Sequence, residues 1–136
     1  MAEAENRKIV EQAHAALALG QTRPYHDMLA DNVIWTVMGS TAWSKTWVGR
    51  NSVLTDLFGE LRSQFVEDAI HITTQAYYAD GDFVAVEGKG HNRTKAGLAY
   101  ENEYCWIYEL SSGKVTEVVE YSDTDLISRV LGSPRR

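Results

Sequence analysis

In the stretch Tyr100-Glu101-Asn102-Glu103-Tyr104-Cys105-Trp106-Ile107-Tyr108, every second residue is aromatic except Asn102, and the residues between are Glu, Glu, Cys and Ile. Side chains of a β-strand point to opposite faces in turn, so one face of this segment carries four aromatic rings and one amide. That face is apolar in bulk and has several hydrogen-bonding tips. It suits the wall of a small-molecule pocket, and it also suits a core or interface strand whose hydroxyls reach solvent at its margin.

The aromatic strand belongs to a series of four strands joined by short reversals. One strand runs from Ala69 to about Tyr78, the turn Asp80-Gly81 reverses it, and Phe83 to His91 returns. After the aromatic strand, the turn Ser111-Ser112-Gly113 leads into a last strand from Val115 to Ser122. Consecutive strands with short connections predict an antiparallel meander.

The first half of the chain is predicted to be mainly helical. Apolar residues recur at helical spacing from Ile9 to Leu17, and Gly20 follows as a helix C-terminal glycine. Pro24 opens a short second helix, because proline is tolerated in a first turn. A short strand from Val33 to Val37 comes next.

Two further helices complete the predicted elements. The apolar series from Val53 to Leu61 indicates a third helix, with Asn51 or Ser52 as its cap. Asp123 caps a last short helix that ends at Gly132. The expected fold class is α+β, with three N-terminal helices packed on a strongly curved antiparallel sheet and a short C-terminal helix, in one domain over residues 1–136.

Composition and charge exclude several classes of partner. The 136 residues are 44% apolar and carry 13 basic and 19 acidic side chains, a net charge of −6. This charge disfavours nucleic acid and anionic membranes. No apolar run reaches membrane-spanning length and no secretion signal is present, so a cytoplasmic location is expected. The single cysteine, Cys105, excludes an internal disulfide and is expected to be a buried structural thiol.

Two tryptophans, Trp43 and Trp47, stand in a segment between Gly39 and Gly49 that is otherwise rich in serine and threonine. Loops rarely expose tryptophan to solvent. We expect this segment either to fold over the core or to cover the mouth of a pocket.

The order of elements, together with Tyr100-x-Asn102-x-Tyr104, Gly113-Lys114-Val115 and Glu120-Tyr121-Ser122-Asp123-Thr124, resembles the NTF2-like superfamily. Within it the chain is most similar to SnoaL-like and ketosteroid-isomerase-like proteins, from the first helix through Leu131. The resemblance implies a cone with a deep pocket on the concave face of the sheet, and a homodimer formed through the outer face. The fold hosts isomerases, cyclases, hydrolases, transport factors and accessory subunits, so it does not define the activity.

Alternation and the matched motif positions assign the residues that face the interior. If Asn102 and Tyr104 point inward, the neighbouring strands contribute Glu87, Lys89 and His91 on one side and Val118, Glu120 and Ser122 on the other. The predicted catalytic residues are therefore Glu120, Lys89, Glu87 and His91. The predicted substrate-binding residues are Trp35, Tyr100, Asn102, Tyr104, Trp106, Trp43, Trp47, Val118 and Ser122.

Glu120 is the first candidate for chemistry. The resemblance implies an acid or base at this place on the last strand of SnoaL-like cyclases and of limonene-epoxide-hydrolase-like members. A carboxylate in an aromatic pocket would have its pKa raised by desolvation, toward the range of proton transfer at neutral pH. A glutamate on a solvated rim is the alternative.

The chain departs from both enzyme branches that it resembles. The hydrolase branch carries Arg and Asp where this chain has Glu87 and Lys89, and it holds its water with Tyr and Asn where this chain has Trp35 and Val37. Thr36 stands near the place of the steroid-isomerase base and cannot abstract a proton at neutral pH. Strict epoxide hydrolysis and steroid isomerisation are therefore not expected.

These patterns lead to one functional prediction and two alternatives. The prediction is a cofactor-independent SnoaL-like enzyme, of the isomerase, cyclase or hydrolase type, acting by acid-base catalysis on a hydrophobic, oxygenated small molecule. The alternatives are a non-catalytic binding protein with the same pocket, and a structural or accessory dimer whose aromatic face is filled by its own side chains. The four histidines lack metal-ligand spacing, so no metal site is expected.

Overall fold

A computed structural model describes residues 2–135. Helix α1 (Ala2–Ala18) packs across strand β3 (Ile72–Asp80) and buries one face, which includes Val10, Ala13 and His14. It ends in a Schellman motif, with the Gly20 amide bonded to the Leu17 carbonyl and the Gln21 amide to the Ala16 carbonyl. Gly20 takes a φ of +78°, a left-handed conformation that glycine adopts without strain. The predicted glycine stop is confirmed.

Helix α2 (Arg23–Met28) is short and carries its proline in the first turn, as predicted. Helix α3 comprises Arg50–Ser52, the π-helical segment Val53–Gly59, and Glu60–Arg62. The prediction that Asn51 or Ser52 caps α3 is wrong, because both lie inside the helix and Gly49, with a φ of +94°, precedes it. The C-terminal helix α4 (Thr124–Val130) has the predicted cap, since the Asp123 carboxylate accepts from the Leu126 amide at 3.2 Å.

Six strands form one sheet in the order β2-β1-β8-β7-β4-β3, and two short strands pair separately. Besides β3 they are β1 (Leu29–Val37), β2 (Thr46–Val48), β4 (Phe83–Gly90), β7 (Glu103–Ser111) and β8 (Lys114–Ser122), with the short pair β5 (Asn92–Arg93) and β6 (Ala99–Tyr100). The predicted α+β class is confirmed, as is the antiparallel meander β3, β4, β7, β8. One junction differs: β1 pairs parallel with β8, so the sheet is mixed.

The aromatic stretch is interrupted once. Tyr100 ends β6 and Glu103 begins β7, with Asn102 between them. The Asn102 amide bonds the Tyr100 hydroxyl at 2.9 Å and the Asp123 carbonyl at 3.2 Å, and its oxygen accepts from the backbone amides of Glu103 and Asp123 at 2.8 and 3.0 Å. The predicted common face is nevertheless confirmed, since all four aromatic side chains and Asn102 are buried.

The inner face of the sheet packs against α1, α2 and α3 and meets a core rich in aromatic residues. Trp43 and Trp47 are both buried in this core, Trp47 as part of β2 and paired with Trp35. Cys105 lies on the opposite face and is half-buried there, so the expectation of a buried thiol is wrong. No helix within residues 2–135 is long and apolar enough to cross a membrane.

Candidate active site

A cavity of about 270 Å³ lies between the inner face of the sheet and the helices. Its lining is predominantly aromatic and aliphatic, with a few polar groups, a composition typical of small-molecule sites. The lining includes the aromatic and polar residues His14, Tyr25, His26, Trp35, Trp43, Arg62, His71, Tyr100, Tyr104, Trp106 and Glu120. The predicted pocket residues Trp35, Trp43, Tyr100, Tyr104, Trp106 and Glu120 are thus brought together.

Glu120 supplies the carboxylate of the cavity. It lies on β8, directly opposite Trp106 on β7, and accepts a hydrogen bond from Trp106 Nε1 at 3.2 Å. Burial raises the pKa of Glu120 from 4.5 to about 7, and the Trp106 and Trp35 indole N–H groups only partly oppose this. The side chain is half-buried because it borders the cavity. A carboxyl with this pKa can both accept and release a proton at neutral pH.

Trp35 places a free hydrogen-bond donor beside Glu120. Its side chain is 1% exposed, and Nε1 has no hydrogen-bond partner among the described residues. The indole lies close enough to lower the pKa of Glu120, although it does not reach hydrogen-bond geometry with the carboxylate. A buried N–H without a partner costs free energy.

A chain of hydrogen bonds connects two residues of the cavity lining, His14 and Tyr25. The Thr74 hydroxyl bonds His14 Nδ1 at 3.1 Å, His14 Nε2 bonds the Tyr108 hydroxyl at 2.8 Å, and the Tyr108 hydroxyl bonds the Tyr25 hydroxyl at 2.6 Å. Burial lowers the pKa of His14 to about 4, so the imidazole is neutral at neutral pH. Burial also raises the pKa of Tyr25 and of Tyr108, which keeps both hydroxyls protonated.

A neutral imidazole allows two directions for the protons of this chain. In one direction Tyr25 donates to Tyr108, Tyr108 donates to His14, and His14 donates to Thr74. In the other direction every bond is reversed, and the hydroxyl proton of Tyr25, a residue of the cavity lining, is left free for another acceptor. Tyr25 can therefore donate a hydrogen bond to a ligand oxygen with no change in the net charge of the chain.

Aromatic stacking holds the two indoles in place. Tyr104 and Trp106 stack with ring centroids 4.8 Å apart, and Trp35 meets Phe58 edge to face at 5.1 Å. Gly88 makes room for the Trp106 ring: a Cβ atom at this position would lie 2.6 Å from Trp106 Cζ3. The glycine of β4 thereby permits the ring position from which Trp106 donates to Glu120.

The placement of Glu87 and Lys89 in the interior is wrong. In the register of β4 with β7, Gly88 lies opposite Tyr104 and Val86 opposite Trp106, so the small and aliphatic residues face inward. The inner face has no room for a longer side chain beneath Trp106. Glu87 lies on the outer face, where it accepts a hydrogen bond from the Tyr78 hydroxyl at 2.9 Å, and Lys89 is half-buried on that face.

His91 is also outside the cavity. It follows the end of β4, is exposed, and bonds the Thr73 hydroxyl through Nε2 at 2.8 Å. Glu120, Glu87, Lys89 and His91 therefore do not form one cluster. Of the four predicted catalytic residues, the cavity contains Glu120 alone.

Four predicted substrate-binding residues lie outside the cavity lining: Asn102, Trp47, Val118 and Ser122. Asn102 uses its side-chain amide to join the backbone at Glu103 to the backbone at Asp123. Trp47 is buried beneath the Lys45 ammonium group, which lies 5.2 Å from the ring centroid. Val118 is buried in the core, and Ser122 pairs with Tyr104 near the end of β8. Trp43 does line the cavity, and its Nε1 donates to the Gly132 carbonyl at 2.8 Å.

His14 and Tyr25 are cavity residues that the sequence prediction did not include. His14 lies on the apolar side of α1 between Ala13 and Ala16. This position within a row of apolar residues indicates that the histidine is buried. Tyr25 follows Pro24 in the second helix, where the sequence pattern indicated only that it is one of the apolar residues of that helix. Both residues bond Tyr108, which lies 94 residues after His14 and 83 residues after Tyr25 in the sequence. Local sequence patterns do not reveal pairs so far apart.

The cavity opens where its lining residues become exposed: Gly20, Thr22, Asp68 and His71. Half-buried His26 and Arg62 line the same side. Asp68 is already paired with the Lys95 ammonium group at 2.9 Å. Within residues 2–135 no group of three His, Cys, Asp or Glu side chains is arranged to hold a metal ion.

With this geometry established, comparison with known proteins identifies the family. The model of the SnoaL-like domain matches residues 10–118. The chain belongs to the SnoaL-like domain family. The match ends two residues before Glu120, so the assignment of that residue rests on the geometry of the cavity. A comparison with proteins of curated function found no match.

Solved structures of SnoaL-like and NTF2-like proteins share the fold. An NTF2-like protein from Burkholderia xenovorans LB400 is 23% identical, covers 96% of this chain and 98% of its own, and has a TM-score of 0.73. A Jannaschia sp. CCS1 protein, provisionally assigned as a SnoaL-like polyketide cyclase, is 11% identical over 97% and 94%, with a TM-score of 0.76. An LEH-like epoxide hydrolase of M. tuberculosis is 19% identical over 90% and 86%, with a TM-score of 0.70. At these identities the similarity shows the fold alone.

Proposed function

We propose that this SnoaL-like protein is a cofactor-independent enzyme that acts on a small hydrophobic, oxygenated molecule by acid-base catalysis at Glu120. The observation that carries the proposal is a carboxyl group with a pKa of about 7, set in an aromatic cavity between two indole N–H groups. A general acid or base works best when its pKa lies near the working pH. The reaction is of the isomerase, cyclase or hydrolase type.

In the proposed mechanism, some cavity residues bind a ligand oxygen and Glu120 transfers the proton. A ligand oxygen would accept hydrogen bonds from the free Trp35 Nε1 or from the Tyr25 hydroxyl, while Glu120 takes or supplies the proton. Burial is the main cause of the raised pKa of Tyr25, and the charge of Glu120 adds to it, so the two groups interact electrostatically. Donors aimed at an oxygen that gains negative charge stabilise the transition state, most strongly where water is excluded.

A second candidate is a non-catalytic binding protein with the same cavity. It is favoured by the absence of a second free carboxylate among the described lining residues, since Asp68, the other acid, is paired with Lys95. The cavity itself argues against an accessory protein whose aromatic face is filled by its own side chains.

Proton exchange tests the enzyme against the binding protein without knowledge of the natural substrate. Cyclic ketones are incubated in deuterated buffer, and hydrogen-deuterium exchange at the carbon beside the carbonyl is followed by NMR. We expect the protein to accelerate exchange and Glu120→Gln to lower the rate at least about a hundredfold. Glu117→Gln, an exposed glutamate on the outer face of the same strand, is the matched control. Exchange that survives Glu120→Gln contradicts the assignment, and binding without exchange favours the second candidate.

We also propose a homodimer formed through the outer face of the sheet. Ile34, Tyr78 and Tyr121 are exposed there, beside half-buried Ile107 and Val119. A second copy with the same face would cover this apolar surface. Sedimentation analysis is expected to give a dimer for the native chain and a monomer for Tyr121→Glu. A native monomer at high concentration would contradict the proposal.

A further inference from the structure

The mouth of the cavity contains an arginine without an acidic partner among the described residues, although the chain as a whole is acidic. Arg62 lines it, and among the described residues no carboxylate lies within ion-pair distance of the guanidinium. The rings of His26 and His71 line the same opening, without a hydrogen bond to another described residue. The acid at this opening, Asp68, is neutralised by Lys95 at 2.9 Å. In a chain of net charge −6, Arg62 is thus a cationic side chain of the cavity without an acidic partner among the described residues.

Arg62 and His26 both line the cavity, and the charge of one affects the other. The Arg62 charge, together with that of Arg50, contributes to a lowered pKa of His26, although burial is the larger cause. The Arg62 guanidinium also lies near Gly59, one turn earlier on α3. An anion held between them would pair with the guanidinium charge and could accept a hydrogen bond from the neutral imidazole N–H. The planar guanidinium matches a carboxylate with two parallel hydrogen bonds.

The deep end of the cavity rejects such an anion. Glu120 is itself an acid, and a second carboxylate beside it would be repelled and would lose its hydration. The free Trp35 N–H and the Tyr25 hydroxyl instead suit a neutral oxygen. The aromatic walls between the two ends suit an apolar body, and a volume of about 270 Å³ limits that body to a ring or a short chain.

We infer that the ligand is a small hydrophobic carboxylic acid, bound with its carboxylate at the mouth against Arg62 and its uncharged end toward Glu120. This inference rests on the proposed function only in taking the cavity as the ligand site. It assigns Arg62 as a residue that determines specificity and orientation. It does not assign Arg62 a part in the chemical step.

Matched pairs of neutral and anionic probes test the inference. Phenylpropanoate, phenylbutanoate and phenylpentanoate are titrated by calorimetry beside their primary amides, which have nearly the same shape and no charge. We expect one or more of the acids to bind about tenfold more tightly than its amide, because a hydrogen-bonded charge pair is made with the acid only.

Three variants separate charge from packing. Arg62→Gln is expected to weaken binding of the acid about tenfold and to leave the amide unchanged, while Arg62→Lys retains most of the preference. Arg7→Gln removes an exposed arginine of α1 outside the cavity lining and is expected to change neither affinity. In Glu120→Gln the preference for the acid is expected to persist, whatever happens to proton exchange.

The outcomes distinguish this inference from the proposed function. Equal affinity for acid and amide would overturn it, as would failure of every acid to bind up to its solubility limit. Arg62→Gln weakening both probes equally would also overturn it, because the arginine would then act through packing. Proton exchange that does not depend on Glu120 would contradict the proposed function and leave the carboxylate preference standing.

Discussion

Two glutamates on the strands that flank β7 show how differently the two faces of one sheet treat a carboxylate. Glu120 lies opposite Trp106 on the inner face, and Glu87 lies opposite Cys105 on the outer face. They are one position apart in register. Glu120 is held in an aromatic cavity by an indole N–H, with its pKa raised to about 7, whereas Glu87 is exposed and bonded to a tyrosine hydroxyl. The residue type does not decide which glutamate can transfer protons; the face does.

The largest expected effect on stability comes from Glu120→Gln. In the folded chain the pKa of Glu120 is about 7, above the ordinary value of 4.5. The neutral carboxyl therefore contributes a stability that is fully present below about pH 4.5 and is lost as the pH rises to about 7. Above that pH the ionised group costs at most about 3 kcal/mol.

Urea unfolding across this pH range measures that cost. Glu120→Gln is expected to match the native chain at pH 4 and to exceed it in free energy of unfolding at pH 8. Glu87→Gln, on the outer face, provides the comparison. A native chain whose stability is the same as that of Glu120→Gln at both pH values would show that the inner face does not treat this carboxylate differently.

Gly88→Ala is expected to destabilise the fold by about 2 kcal/mol, because overpacking at this position forces Trp106 to move. The added Cβ would lie 2.6 Å from the Trp106 ring and 3.0 Å from the Thr73 carbonyl. Thermal unfolding gives the cost, and a rise in tryptophan solvent exposure reports the displaced ring. Gly59→Ala in α3 is the matched control, since its Cβ meets nothing closer than 3.6 Å and alanine favours a helix. Equal effects of the two substitutions would contradict the close packing of Trp106 on β4.

Tyr108→Phe tests the buried hydrogen-bond chain. It removes the hydroxyl that joins His14 and Tyr25, and leaves both without a partner on that side. We expect a loss of about 1–2 kcal/mol in the free energy of unfolding, and a smaller loss for Tyr25→Phe, which leaves the His14 bond intact. Denaturant titration of the two single variants and the double variant gives the coupling. Additive losses in the double variant would show that the chain does not act as a unit.

The sequence predicted which residues of β7 share the inner face of the sheet, but not which residues of β4 do. The alternation of Tyr104, Trp106 and Tyr108 predicted their common face, because one strand has only two faces. The inner face of the neighbouring strand β4 depends also on the register between β4 and β7. The predicted register was wrong by one residue, so Glu87 and Lys89 were placed on the inner face where Gly88 lies. The glycine beneath the Trp106 ring was the physical clue, since only a residue without a side chain fits there.

The remaining site residues depended on contacts that are distant along the chain. Glu120 was predicted by its place before the helix-capping Asp123 and lines the cavity. His14 and Tyr25 come from helices whose packing on the sheet no local pattern describes. The parallel pairing of β1 with β8 was missed for the same reason, because the two strands are separated by almost the whole meander.

The smallest effect is expected for Glu87→Gln and Lys89→Gln on the outer face. Both substitutions are expected to change the free energy of unfolding by less than about 0.5 kcal/mol, as is usual for surface positions. Neither should change proton exchange with cyclic ketones. Loss of exchange in either variant would reverse the comparison and return the catalytic role to the outer face of β4.

The most direct test of the account is the pKa of Glu120 itself. The carboxyl carbons of uniformly labelled glutamate are followed by NMR as a function of pH, and the signal missing in Glu120→Gln assigns the residue. We expect a midpoint near pH 7, set by burial in the aromatic cavity. A midpoint near the ordinary value of 4.5 would contradict the central claim that this cavity prepares Glu120 for proton transfer.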